Sequence, residues 1–125
     1  MMFQMFVPCL LWTINHERRM NRHERARRVA DIRRDAANCA LARGPLTAFT
    51  TQVTVEFLPY QKAGKGSGTV ADTANHLPPC KAVLDGLVDI GLIADDSPRF
   101  VVSQTFYPPE KRPGIEGVSI LLKER

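Results

Sequence analysis

The sequence has three cysteines, Cys9, Cys39 and Cys80, with no C-x-x-C spacing and no nearby pair of histidines. Neither a disulfide framework nor a zinc site is expected, and a reducing, cytoplasmic setting is the default. A long apolar run is also missing. The start, MMFQMFVPCLLWTIN, falls short of the roughly 20 residues that a membrane-spanning helix needs. No positive charge precedes it and no small-residue cleavage site follows. No membrane partner and no targeting segment are therefore expected. A P-loop is absent too. QKAGKGSG at 61–68 is glycine-rich, yet G-x-x-x-x-G-K-[ST] needs its lysine directly after the last glycine and a helix behind it, whereas this stretch leads to TVAD. No internal repeat is visible. With 125 residues and 44% hydrophobic content, residues 1–125 fit one domain.

What is present is charge, unevenly placed. The chain carries a formal +4. From His16 to Arg43 nine arginines (18, 19, 22, 25, 27, 28, 33, 34, 43) face four acids, a local balance of +5. From Asp72 to Asp96 five acids (72, 85, 89, 95, 96) face Lys81 alone, a local balance of −4. A broad basic surface suits a polyphosphate partner, because each neutralised phosphate releases condensed counterions. An acidic cluster within such a surface repels that partner unless a divalent cation lies between them. The contacts expected to a nucleic-acid backbone come from Arg18, Arg19, Arg22 and Arg25, with Lys62 and Lys65 of the glycine-rich loop.

Hydrophobic periodicity predicts the elements. Residues 3–14 read as a largely buried strand interrupted at Pro8, and 17–42, without Pro or Gly, as one basic helix. Residues 49–60 alternate as a half-buried strand, and 99–107 and 117–124 read as two more, joined by the turn-forming PPEKRPG. Between them lies a short helix. Pro78 and Pro79 suit its first turn and Gly91 its stop. Gly86 in its middle suggests close approach by another element or a ligand. The expected fold is α+β, a mixed sheet of about four strands packed against two helices.

The acids bracket this helix: Asp72 before it, Asp85 within it, Asp95 and Asp96 after it. Hard oxygen donors with few histidines suit Mg²⁺ or Mn²⁺, which assist phosphodiester hydrolysis. Lys81, facing them, adds a positive charge near the reacting phosphate or a proton for the departing oxygen. Each member also has a plain structural explanation. DDSP at 95–98 suits a cap or turn, Lys81 and Asp85 form an i, i+4 pair, and Asp72 suits a turn. Asp89 reads as solvent-facing, and His76 as a capping or loop residue.

Read as one string, DTANHLPPCKAVLDGLVDIGLIADDSP resembles the active-site segment of the RusA family of Holliday-junction resolvases, through Asp72, Asn75, Lys81, Asp85, Gly91, Asp95 and Asp96. The order of elements around it is similar as well. The resemblance implies a homodimeric, Mg²⁺-dependent endodeoxyribonuclease that nicks opposing strands of four-way DNA junctions in recombination and repair. It implies Asp72 and Asp96 as primary ligands and catalytic residues, Asp95 and Asp85 as assisting ligands, and Lys81 as a catalytic residue. Where the family carries a second Asp before the Asn this chain has Ala74, and Asp85 is the expected replacement. The alternatives are a non-catalytic protein that binds DNA junctions and a metal-dependent nuclease for other branched DNA.

Overall fold

The computed structural model describes residues 1–63 and 72–125. The elements are β1 (Met2–Pro8), α1 (Ile14–Arg19), α2 (Arg22–Leu41), β2 (Val53–Ala63), α3 (Leu77–Asp89), β3 (Val101–Phe106), β4 (Glu110–Pro113) and β5 (Gly117–Glu124). The class is the expected α+β, with five strands in one mixed sheet and three helices among the described residues. The sheet runs β1-β5-β2-β3. β5 pairs antiparallel with β1 on one side and β2 on the other. β2 pairs in parallel with β3 along Val53 to Phe57 and with β4 along Tyr60 to Ala63. A parallel pair needs a crossover, and α3 lies within the one between β2 and β3.

The strand residues that alternate inward build the core. Val53, Val55 and Phe57 of β2 and Val118, Ile120 and Leu122 of β5 are fully buried, while Thr54, Glu56, Leu58, Ser119 and Leu121 are partly exposed. Ile32, Ala36 and Ala40 of α2 and Cys80, Val83, Leu84 and Leu87 of α3 join the same core. The two helices press together at Gly86, where a Cβ would sit 2.5 Å from the Arg33 carbonyl oxygen and 2.9 Å from Ala36 Cβ. The close approach expected at Gly86 is therefore made by α2.

The structure alters several expected boundaries. The first strand ends at Pro8 rather than running to residue 14. Residues 9–13 cross to α1, held by Glu116, whose carbonyl accepts from Cys9 N at 3.3 Å and whose carboxylate accepts from Leu11 N at 2.9 Å. The basic helix is two helices. Thr13 caps α1 by accepting from His16 N, and Asn21 caps α2 by accepting from His23 N at 2.7 Å. β2 starts four residues later than expected, because the Phe49 N–H bonds to the Leu92 carbonyl instead of to the sheet. The fifth strand, β4, lies in the stretch read as a turn. All four of its residues are exposed, so no apolar alternation marks it.

Candidate functional site

α3 opens on a tight turn. Asn75 N donates to Asp72 O at 3.0 Å and Leu77 N to Ala74 O at 3.1 Å, with Ala74 in the left-handed region at φ 64°. The chain leading into α1 clamps this turn. Ile14 N donates to Asn75 O at 2.9 Å, and His76 Nδ1 lies 3.2 Å from Trp12 O. The prolines then supply the first turn of α3, where missing N–H groups cost nothing.

The far end of α3 returns the acidic turn to its start. Gly91, at φ 77°, reverses the chain after the last helical turn. Leu92 and Ile93 bury themselves in the core and fix the direction of return. From Lys81 to Asp89 the helix rises about 12 Å, and the few residues after Gly91 are long enough to run back over that distance. Lys81 Nζ consequently donates to Asp96 Oδ2 at 3.1 Å, across fifteen residues of sequence. Both side chains remain 36% exposed, ordered by each other yet open to a ligand.

Asp85 stands one helical turn after Lys81. Burial holds its carboxyl above the usual range, opposed by the positive charges of Lys81 and Arg33 and reinforced by the negative charges of Asp96 and Asp89. Asp96 shows the opposite shift, because its hydrogen bond from Lys81 favours the ionised form. Lys81, Asp85 and Asp96 are thus brought into one electrostatic neighbourhood. Asp95 is not presented in the same way, since its carboxylate accepts from Asp96 N at 2.7 Å as in a simple turn. Asp72 is exposed on the turn before α3. Among the described residues no three His, Cys, Asp or Glu side chains gather closely enough to hold a metal ion. The four carboxylates expected as ligands do not form one cluster in this geometry.

The pair that remains still suits the expected ion in kind. Mg²⁺ commonly takes one or two carboxylates and completes its octahedron with waters and substrate phosphate. Asp85 and Asp96 would hold it, and when bound it supplies charge stabilisation on a phosphoryl group.

Among the cationic residues, Arg18, Arg19, Arg22 and Arg25 are exposed and have no ion-pair partner among the described residues. Arg27, which was not singled out from the sequence, shares this state. Lys62 is exposed near the end of β2, and Lys65 lies outside the described residues. Two expectations need correction. Asp89 is not simply solvent-facing, because Arg33 of α2 grips both its oxygens at 2.9 and 2.6 Å. Sequence spacing could not reveal a partner 56 residues away. His76 stands at the N-cap position of α3 but makes no side-chain cap bond. Its ring turns inward, 5% exposed, with Nε2 lacking a hydrogen-bond partner among the described residues. Compared with known proteins, the chain matches no family model and no curated sequence.

Proposed function

We propose that the protein is a Mg²⁺-dependent endodeoxyribonuclease of the RusA type that resolves four-way DNA junctions by paired nicks. The observation that carries this reading is the 3.1 Å contact between Lys81 and Asp96 with Asp85 beside it. A lysine bonded to one carboxylate and one helical turn from another, on a helix packed against the arginine-rich α2, combines phosphate attraction with hard-metal donors. The Lys81 ammonium is open enough to solvent to leave Asp96 for a phosphate oxygen. There it offsets the charge gathering in the transition state or passes a proton to the departing oxygen. Asp85 and Asp96 would hold the ion, and Arg18, Arg19, Arg22 and Arg25 would grip the DNA backbone. Paired nicks need two such sites, which a two-fold homodimer supplies.

The compact acidic set, smaller than four ligands, favours a second reading in which the protein binds junctions without cutting them. Incubating a labelled four-way junction with the protein in Mg²⁺, in Mn²⁺ and in EDTA separates the two. The nuclease reading predicts paired nicks with either metal and none in EDTA. It also predicts that Asp85→Ala lowers the rate at least tenfold at fixed Mg²⁺ and raises the Mg²⁺ needed for half-maximal cutting. Binding without cutting under every metal condition would leave the second reading standing.

A further inference from the structure

Along the exposed side of α2, next to the end of α3, lies a groove of about 620 Å³ that shares Arg25 with the proposed backbone grip and extends beyond it to Arg33, Arg34 and Asp89. Val29 and Ala30 contribute to an apolar floor, while Arg25, Arg33 and Arg34 supply positive charge and Asp89 the only acid among the described residues of the lining. That acid is already engaged, since both its oxygens receive the Arg33 guanidinium. Arg25 has no ion-pair partner among the described residues. Arg34 touches Asp31 and Asp35 only at 3.4 and 3.3 Å and is 62% exposed, a setting in which such pairs hold a side chain weakly. Within the lining three guanidinium groups therefore meet one carboxylate, with Asp31 and Asp35 standing beside Arg34. Arg25 and Arg33 are two turns apart, about 12 Å along the helix axis, so an extended polyanion running along α2 meets both.

We infer that this groove is a docking track for a phosphodiester backbone and that Asp89 acts as its latch, holding Arg33 until a phosphate takes the carboxylate's place on the same guanidinium fork. Carboxylate and phosphate present equivalent oxygen pairs to that fork, which makes the exchange geometrically neutral. Arg33 and Asp89 are 43% and 41% exposed, so a ligand reaches the pair without opening the core. The latch also discriminates. A single anion meets an arginine already neutralised, whereas a backbone that engages Arg25 and Arg34 first brings a phosphate to Arg33 at high local concentration. This inference rests on the nucleic-acid part of the function proposed above and not on cleavage.

The test is equilibrium binding of a fluorescent DNA duplex and of a four-way junction in EDTA, followed by anisotropy across a KCl series. Arg25→Ala and Arg34→Ala are each expected to weaken binding several-fold and to lower the slope of log affinity against log salt by about 0.9, one phosphate contact. Asp89→Asn is expected to tighten binding and steepen the slope, and the double variant Arg33→Ala/Asp89→Asn to lose that gain. Failure of the native protein to bind DNA at all would remove the nucleic-acid reading and this inference together. Native binding that Arg34→Ala leaves unchanged would overturn the track alone, because Arg25 is shared with the backbone grip proposed above. Weaker binding by Asp89→Asn, with a matching fall in melting temperature, would make Arg33 and Asp89 a clasp between helices and overturn the latch.

Discussion

At the scale of single residues, His76 carries the least comfortable environment in the described chain. Its Nδ1 has the Trp12 carbonyl, its Nε2 has no hydrogen-bond partner among the described residues, and burial pulls its pKa below the ordinary 6.5. Because Trp12 O can only accept, Nδ1 carries the proton and donates to it, and burial favours the neutral ring. As pH falls below 6.5 the unfolded chain takes up a proton that the folded chain resists, so stability present above 6.5 is lost as pH falls toward the depressed value. Melting temperature should therefore decline on acidification through this window. His76→Phe should flatten the decline at this position, even though it forfeits the bond to Trp12. Ala74 is a second strained point, with a Cβ in a backbone region that disfavours one. Ala74→Gly should stabilise the fold by about 0.5–1 kcal/mol, read from a urea midpoint. Gly86→Ala should act the other way by about 1–3 kcal/mol, because the new methyl meets the Arg33 carbonyl and Ala36 Cβ.

At the scale of elements, the break between α1 and α2 decides where the arginines point. The Asn21 side chain takes the His23 N–H and starts a new helix, whereas a continuous helix would carry Arg18 and Arg19 along the axis of α2. Asn21→Ala should cost about 1 kcal/mol of stability. If the basic surface depends on the turn, the same variant should weaken DNA binding although no charge is lost. The break was hidden in the sequence because neither Pro nor Gly marks it, and asparagine is tolerated inside helices as well as at their caps. The ends of α3 were legible, since its prolines and Gly91 act through local backbone chemistry. So was β5, whose alternation between faces is regular. β4 was not, since its exposed residues carry no face preference. The site shows the same division. The i, i+4 spacing of Lys81 and Asp85 was readable, but the contact of Lys81 with Asp96 depends on the return of the chain over α3, and Arg33 with Asp89 on two helices meeting at Gly86.

At the scale of the whole molecule, charge is segregated. Unpaired arginines crowd α1 and the first half of α2, while the side of the sheet away from the core holds paired charges such as Lys123 with Glu56 and an edge-on contact of Phe6 with Tyr60. Among the described residues no helix is long and apolar enough to cross a membrane. With DNA as the proposed partner, binding through these arginines should weaken steeply with salt, and affinity flat between low and moderate KCl would contradict that proposal. The acidic turn brought beside Lys81 is what turns such a binding surface into a candidate for chemistry. The most direct measurement is the single-turnover rate of junction cleavage in Mg²⁺ by the native protein and by Asp96→Asn, with circular dichroism confirming that the variant folds. Paired nicks from the native protein are expected, with a loss of at least a hundredfold in the variant and junction affinity retained. Equal rates for the two proteins would contradict the nuclease reading.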